Sequence, residues 1–223
     1  GYGGTDIIKN CNIQVQEREI VVVIGPNGAG KSTAMKAMLG MLKLKSGSVK
    51  FNNDEITNML PQDRVNLGIA FVPQTRNVFT GMTVEENLEM GAFLRTDDIQ
   101  NTINQVYDLF PVLGEKRNQN VGELSGGQRQ QVAFGRALMT KPTILMLDEP
   151  TAGVSPIVMD DLFTRIIEVG KTGVGILMVE QNAKQALGIA NRGYVMVNGE
   201  NRMEGSGKDL LDNPDVKKSF LGG

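Results

Sequence analysis

Short apolar runs alternate with amphipathic stretches along most of this chain. Residues 20–24, 68–72, 143–147 and 174–179 form unbroken runs that are rich in β-branched and aliphatic side chains. Their length and continuity are typical of strands that are buried on both faces of a sheet. A helical pattern follows each run, and this alternation predicts an α/β fold with a mainly parallel sheet.

A second kind of β pattern lies near the start of the chain. Ile13 and Val15, followed by a polar turn at 16–19, predict a strand before the first buried run. Residues 48–51 also alternate between apolar and polar side chains, as a half-buried strand does. These patterns predict an N-terminal antiparallel β subdomain.

The middle of the chain is predicted to be helical. Residues 76–141 carry helical patterns and no convincing strand pattern, and capping boxes at 83–86 and 125–128 mark two helix starts. We therefore expect an inserted helical subdomain at 76–141. The rest of this single domain, 1–75 and 142–223, forms the α/β core.

Composition narrows the possible functions. The 223 residues include 23 lysines and arginines and 25 acidic residues, a net charge of −2, so we expect no nucleic-acid partner. The single cysteine, Cys11, excludes an intrachain disulfide and fits a reducing compartment. No apolar run is long enough to span a membrane, and no signal peptide is visible. Because the chain starts at Gly1, we expect a few residues to precede it.

A phosphate-binding loop follows the first buried run. Gly25-x-x-x-x-Gly30-Lys31-Ser32 matches the full pattern, and a helical stretch begins directly after it. Glycines let backbone N–H groups turn toward a phosphate, and the helix start adds a partial positive charge. The loop predicts a nucleoside triphosphate site, with Lys31 on the β- and γ-phosphates and the Ser32 hydroxyl on Mg²⁺. The predicted nucleotide-binding residues here are Gly25, Pro26, Asn27, Gly28, Ala29, Gly30, Lys31, Ser32 and Thr33.

Two carboxylates, Asp148 and Glu149, come directly after the buried run at 143–147. The carboxyl ends of parallel strands are where α/β sheets bind ligands. We expect Asp148 to hold Mg²⁺ through a water molecule and Glu149 to orient or deprotonate an attacking water. The sequence contains no histidine, so acid–base chemistry depends on other groups, these carboxylates among them.

Two features have more than one interpretation on their own. Tyr2 either stacks on an adenine ring or is a surface tyrosine near the terminus. Two glycines follow Ser125 in the first turn of a helix, where each costs about 1 kcal/mol relative to alanine. A phosphate that approaches this helix N-terminus explains them, and a helix start without a ligand is the alternative.

The motifs GPNGAGKST, Gln74 after a strand, LSGGQ at 124–128 and ILMLDEP at 144–150 occur in this order. With them the chain resembles the ATP-binding cassette (ABC) ATPases along nearly its whole length. The resemblance implies a dimer in which each ATP lies between the phosphate loop of one subunit and the LSGGQ segment of the other. It also implies adenine stacking by Tyr2 and contacts of Gln74 with Mg²⁺ and water, and it makes Glu149 the catalytic glutamate. The signature residues that act in the partner's site are then Ser125, Gly126, Gly127 and Gln128.

Two positions depart from the family pattern. Gln181 stands where most members have a histidine that contacts the γ-phosphate. A glutamine amide can donate a hydrogen bond there but does not titrate, and we include Gln181 with Lys31, Gln74 and Glu149 in the predicted catalytic set. The loop at 152–155 lacks the usual aspartate, which leaves its contacts across the dimer open.

The runs EPTAGVSP, MVEQNAKQAL and SFLGG are similar to those of LivF-type ATPases from bacterial branched-chain amino-acid importers. This resemblance implies ATP hydrolysis coupled to import, with the chain peripheral at the cytoplasmic face of the inner membrane. It implies a second, LivG-type ATPase, two transmembrane permease subunits and, indirectly, a periplasmic binding protein as partners. Pairing of the chain with itself is left open. So are a related importer for urea or short amides, a soluble ABC ATPase without a transport role, and a nucleotide sensor that does not hydrolyse ATP.

Overall fold

The computed structural model describes residues 6–221, so Tyr2, the predicted adenine-stacking residue, lies outside the described part. The helices in chain order are α1 (Lys31–Met38), α2 (Pro61–Asn66), α3 (Val84–Gly91), α4 (Gln100–Leu109), α5 (Pro111–Glu115), α6 (Gly126–Leu138), α7 (Pro156–Lys171), α8 (Ala183–Ile189), α9 (Gly207–Asp212) and α10 (Pro214–Phe220). The strands are β1 (Ile20–Ile24), β2 (Lys50–Phe51), β3 (Asp54–Glu55), β4 (Ile69–Val72), β5 (Ile144–Asp148), β6 (Gly175–Val179), β7 (Arg192–Val197) and β8 (Glu200–Gly205). None of the helices within 6–221 is both long and apolar enough to cross a lipid bilayer.

A sheet with the strand order β4-β5-β6-β1-β7-β8 forms the centre of the fold. β1 pairs in parallel with β6 on one side and with β7 on the other. β4, β5 and β6 are also parallel to one another, whereas β8 returns antiparallel to β7. The prediction of an α/β fold with a mainly parallel sheet is confirmed. The parallel strands consequently present their carboxyl ends at one edge.

Helices cover both faces of this sheet, and β1 shows how the two faces are filled. Val22 belongs to a core cluster that includes Phe134 of α6, whereas Val23 belongs to a second cluster that includes Met35 of α1. All residues of β1 are buried, as expected for a strand that is covered on both faces. The loop that follows β1 therefore starts from a rigid support.

The stretch 76–141, all of it described, contains α3 to α6 and no strand apart from an isolated bridge. Both predicted capping boxes form: Thr83 and Glu86 begin α3, and Ser125 and Gln128 begin α6. The division of the chain into a core and an inserted helical subdomain stays a prediction.

The strand predicted at 13–15 is wrong, because these residues, although described, lie in no strand. The surrounding segment makes isolated hydrogen bonds to the β7–β8 hairpin, and these do not form the regular ladder of a β-strand pair. The backbone N–H of Lys9 donates to Gly199 O (2.9 Å), and that of Gln14 donates to the Tyr194 hydroxyl (3.3 Å). Antiparallel structure early in the chain is confirmed only as the small sheet of β2 and β3.

Arg64 of α2 is a buried cation at the C-terminal end of α1. Its guanidinium donates to the backbone oxygens of Met38 (2.6 Å), Thr57 (2.8 Å) and Met59 (3.1 Å). A cation at this position satisfies carbonyls at the end of α1 and complements the negative end of the helix dipole. Arg64 thereby joins the end of α1 to α2 and to the chain that precedes it.

Candidate nucleotide-binding and catalytic site

Four predicted site segments meet at the carboxyl edge of the sheet. The phosphate loop follows β1, Gln74 follows β4, Asp148 ends β5, and Gln181 comes shortly after β6. These strands are neighbours in the sheet, so segments that are far apart in the chain converge. Open α/β sheets bind their ligands at this edge.

The phosphate loop, residues 25–31, depends on glycine at two points. Gly25 lies so close to β7 that a Cβ would overlap the carbonyl oxygen of Met196. Gly30, at the start of α1, has a φ angle of 100°, in the left-handed region that glycine adopts most easily. No side chain in the described part of the chain caps α1. Its first backbone N–H groups therefore form an end that favours a phosphate.

Lys31 lies across this loop. Its Nζ donates to Gly25 O (2.8 Å) and to Pro26 O (3.2 Å). Burial lowers the pKa of Lys31, and the negative charges of Glu149 and Asp148 oppose this shift. The ammonium group is thus close to both the loop and the carboxylates, where it can meet the phosphates of a nucleotide.

Ser32 and Asp148 are in direct contact. The Ser32 hydroxyl donates to Asp148 Oδ1 (2.7 Å). Burial raises the pKa of Asp148, and the hydrogen bond from Ser32 partly offsets that rise. The pair offers a hydroxyl and a carboxylate, oxygen ligands of the kind that Mg²⁺ prefers.

Glu149 connects the two glutamines. Its Oε2 accepts hydrogen bonds from Gln74 Nε2 (2.7 Å) and from Gln181 Nε2 (2.8 Å). All three line a cleft of about 350 Å³. Glu149 has a φ angle of 49°, a conformation that is uncommon outside glycine and often found at functional sites. Three of the predicted catalytic side chains therefore form one hydrogen-bonded group.

A further buried carboxylate, Glu180, lines the same cleft and was missed by the sequence analysis. It accepts hydrogen bonds from Thr151 and from the backbone N–H groups of Gln181 and Asn182. Burial raises the pKa of Glu180, and these hydrogen bonds partly offset the rise. A signal was available, because Glu180 directly follows an apolar run and a carboxylate that is buried there needs partners.

The LSGGQ segment begins α6 and makes its capping hydrogen bonds within itself. Ser125 Oγ accepts from Gln128 N (3.3 Å), and Gln128 Oε1 accepts from Ser125 N (3.1 Å). Within 6–221 no hydrogen bond joins this segment to the phosphate loop.

The two glycines of the segment have different surroundings. A Cβ on Gly127 would lie 2.5 Å from Val158 Cγ1 of α7. One on Gly126 would meet no described atom within 4 Å. Packing inside the chain therefore accounts for glycine at 127, whereas the surface at Gly126 is open to an approaching group.

A buried strand, a phosphate loop and a helix in this arrangement define a nucleoside-triphosphate-binding protein of the P-loop class. The profile of the ABC transporter family matches residues 8–152, and the chain belongs to this family. It is therefore an ATPase that binds ATP.

Two curated relatives are similar over the whole chain. The high-affinity branched-chain amino acid transport ATP-binding protein BraG of Pseudomonas aeruginosa is 43% identical, over 100% of this chain and 96% of that protein. The probable branched-chain amino acid transport ATP-binding protein LivF of Archaeoglobus fulgidus is 39% identical, over 100% and 95%.

Two solved structures show the fold and its assembly in relatives. The ADP conformation of MJ1267, an ATP-binding cassette of an ABC transporter, has a TM-score of 0.89 and 31% identity, over 100% of this chain and 95% of that one. The ATP-binding cassette MJ0796, as a dimer in a post-hydrolysis state with ADP and Pi, has a TM-score of 0.78 and 26% identity, over 90% of each chain.

Proposed function

We propose that this chain is the ATP-hydrolysing, energy-coupling subunit of an ABC importer for branched-chain amino acids. The two relatives named above support this substrate, since both are similar over the whole chain and both names specify it. The amino acid itself is bound by other subunits. This chain supplies the free energy of ATP hydrolysis.

The phosphate loop binds the triphosphate in this proposal. The uncapped start of α1 provides backbone N–H groups to the phosphates. Lys31 exchanges its contacts with Gly25 O and Pro26 O for contacts with the β- and γ-phosphates. Tyr2 stacks on the adenine ring.

Mg²⁺ is the metal that accompanies the nucleotide. Ser32 and Asp148, which are in contact, fit it because they supply oxygen ligands beside the phosphate loop, and Gln74 adds an amide oxygen. Within residues 6–221 no cluster of three or more acidic or cysteine side chains could hold a metal alone. Such a cluster is not needed, since Mg²⁺ is commonly bound by one or two carboxylates together with nucleotide phosphates. When bound, the ion neutralises charge on the phosphates.

Glu149 orients the attacking water. The observation that carries this role is the position of its carboxylate between the amides of Gln74 and Gln181 at the edge of the cleft. One amide comes from the loop after β4 and the other from the segment after β6, so hydrogen bonds from two segments orient the carboxylate. A positioned base of this kind contributes about 100- to 10,000-fold in rate.

The assembly is a dimer of ATPases beneath two permease subunits. We propose a LivG-type ATPase as the partner, with a second copy of this chain as the alternative. The dimer of MJ0796 with ADP and Pi supports a dimeric assembly. In this proposal Ser125, Gly126, Gly127 and Gln128 complete the nucleotide site of the partner. The chain is peripheral at the cytoplasmic face of the membrane, and a periplasmic binding protein delivers the solute.

Uptake measurements test the substrate. Deleting the gene in its source organism should abolish high-affinity uptake of labelled leucine, isoleucine and valine but leave urea uptake unchanged. The wild-type chain should restore uptake, and Glu149→Gln should not. Loss of urea uptake with normal leucine uptake would overturn the proposed substrate while keeping the role of the chain in transport.

The same Glu149→Gln variant tests the dimer. It should bind ATP and Mg²⁺ normally and hydrolyse ATP about 100- to 10,000-fold more slowly. Its molar mass in solution with ATP then decides the partner: a doubled mass means that the chain pairs with itself, and a monomer with bound ATP means that a different ATPase completes the site. A variant that hydrolyses ATP at the wild-type rate would contradict the role of Glu149.

A further inference from the structure

Glu180 is a charged side chain in the interior, at the end of β6. It is only 1% exposed. Carboxylates are rarely buried this completely unless they are paired or hydrogen-bonded. Glu180 also lines the cleft that contains Gln74, Glu149 and Gln181.

The hydrogen bonds of Glu180 occupy both carboxylate oxygens. Oε1 accepts from the Thr151 backbone N–H (2.9 Å) and from the Thr151 hydroxyl (2.8 Å). Oε2 accepts from the backbone N–H groups of Gln181 (3.0 Å) and Asn182 (3.4 Å). A carboxylate has about four acceptor positions, and all are matched by donors. A glutamine at 180 would place an NH₂ group against the backbone N–H groups of Gln181 and Asn182, or against the N–H and hydroxyl of Thr151.

A second contact closes the network. Asn182 Nδ2 donates to the Thr151 hydroxyl (2.9 Å), which itself donates to Glu180. Thr151 belongs to the loop after β5, whereas Glu180 and Asn182 belong to the segment after β6. The network therefore joins the two adjacent loops to each other in the wall of the cleft.

The catalytic groups stand on these two loops. Glu149 is two residues before Thr151, has the uncommon φ angle of 49°, and donates from its backbone N–H to Val179 O (2.9 Å). Gln181 is directly after Glu180 and donates to the Glu149 carboxylate. Each partner of the Glu149–Gln181 hydrogen bond is thus anchored within two residues of the buried network.

We propose that Glu180, together with Thr151 and Asn182, is a positioning residue for ATP hydrolysis, which holds the Glu149 carboxylate and the Gln181 amide in the geometry that the reaction needs. This inference rests on the proposed role of Glu149. Donors of this chain occupy the acceptor positions of Glu180, so we expect its loss to lower the turnover rate and to leave ATP binding unchanged. A misplacement of about 1 Å in such a group can cost a hundredfold in rate.

The test compares the Thr151→Val, Thr151→Ser and Glu180→Gln variants of the full chain, in the dimer that hydrolyses ATP. Thr151→Val keeps the shape of the side chain and removes the hydroxyl, whereas Thr151→Ser keeps the hydroxyl. We expect kcat to fall about 10- to 100-fold for Thr151→Val and Glu180→Gln, with KM for ATP changed less than about twofold. Thr151→Ser should retain a kcat near the wild-type value.

A matched control is available at Thr102 of α4. Its buried hydroxyl accepts from Arg95 Nη1 (3.0 Å), away from the cleft. Thr102→Val removes a buried hydroxyl in the same way and should leave kcat unchanged. Hydrogen exchange of residues 149–154 and 180–183 should become faster in Thr151→Val and not in Thr102→Val.

The outcomes separate this inference from the proposed catalytic role. If Glu149→Gln abolishes turnover but Thr151→Val retains wild-type kcat, the network does not position the reaction and the inference is overturned. An equal loss in Thr151→Ser and Thr151→Val, or in Thr102→Val, also contradicts it, because the loss then does not depend on this hydroxyl. Wild-type turnover in Glu149→Gln removes the proposed role of Glu149 itself. If Glu180→Gln does not fold, the Thr151 pair and the exchange measurement still decide.

Discussion

The starts of α1 and α6 are both rich in glycine, but their first turns are satisfied in opposite ways. At α1 the N-cap is Gly30, and among the described residues no side chain accepts from the first N–H groups. At α6 the N-cap is Ser125, and it forms a full capping box with Gln128. The first N–H groups of α1 need an acceptor from another molecule, whereas at α6 the Ser125 side chain accepts from one of them.

This difference indicates how the two segments are used. Free N–H groups beside Lys31 suit a ligand that this chain binds by itself. A capped helix start is stable without a ligand and can be presented to another molecule. The open surface at Gly126 and the packed surface at Gly127 fit that use, because one glycine supports the fold and the other faces outward.

The largest expected effect is on ATP affinity, which should depend on the phosphate loop before α1 and not on the start of α6. Lys31→Ala removes the cation of the phosphate loop and should weaken ATP binding by about 1.5–3 kcal/mol, roughly 10- to 150-fold in Kd. Ser125→Ala should change the affinity of the isolated chain less than about twofold, since the start of α6 is proposed to act in the partner's site. Titration with a fluorescent ATP analogue measures both. Equal weakening in the two variants would mean that both segments bind the same nucleotide within one chain.

The next effect separates the two glycines of α6. Gly127→Ala places a Cβ against Val158 and should lower the free energy of unfolding by about 1–3 kcal/mol. Gly126→Ala meets no described atom and should leave stability unchanged or raise it by up to about 1 kcal/mol. ATP hydrolysis should nevertheless fall in Gly126→Ala, because its methyl group stands where the partner's phosphate is proposed to lie.

Denaturant unfolding measures the free energy of unfolding of both glycine variants, and a second substitution tests whether contact with Val158 causes the loss in Gly127→Ala. Val158→Ala should recover part of the stability lost in Gly127→Ala, since it removes the colliding methyl groups. If Gly126→Ala hydrolyses ATP at the wild-type rate, the open surface at 126 has no role in the reaction.

The smallest expected effect concerns the cap of α6, and α3 provides a matched control. Ser125→Ala and Thr83→Ala each remove a capping hydroxyl from an equivalent box, and each should cost about 1 kcal/mol of stability. Only Ser125→Ala should also slow ATP hydrolysis. Thermal unfolding and steady-state turnover, measured on both variants, distinguish a purely structural cap from one that also acts in the site. Equal turnover in the two would make the α6 cap structural alone.

Local sequence patterns predicted the parts of the fold that depend on local chemistry. The buried run that became β1, the phosphate loop after it and both capping boxes are each set by residues within a few positions of one another. The parallel sheet followed from the repeated order of run and helix. Such features need no knowledge of distant contacts.

What the sequence did not reveal depends on distant partners. Alternation at Ile13 and Val15 predicted a strand, but a strand also needs a neighbouring strand to pair with along its length. The reason for glycine at 127 lies in Val158 on another helix, and the partner of Glu180 lies in the loop after β5. The residues around Glu149 do not predict its left-handed backbone conformation, because residues other than glycine rarely adopt that conformation.

Arg64 has a mechanical consequence for the nucleotide site. Its guanidinium donates hydrogen bonds to carbonyls at the C-terminal end of α1, and the chain continues from Arg64 through β4 to Gln74. Arg64 therefore joins the C-terminal end of α1, the helix that follows the phosphate loop, to the segment that leads to Gln74, which hydrogen-bonds to Glu149. A rotation of α1 relative to α2 would break the hydrogen bonds of Arg64 to Ala37 O and Met38 O, so we expect the two helices to move together. A displacement of Gln74 that also shifts α2 would then shift the C-terminal end of α1.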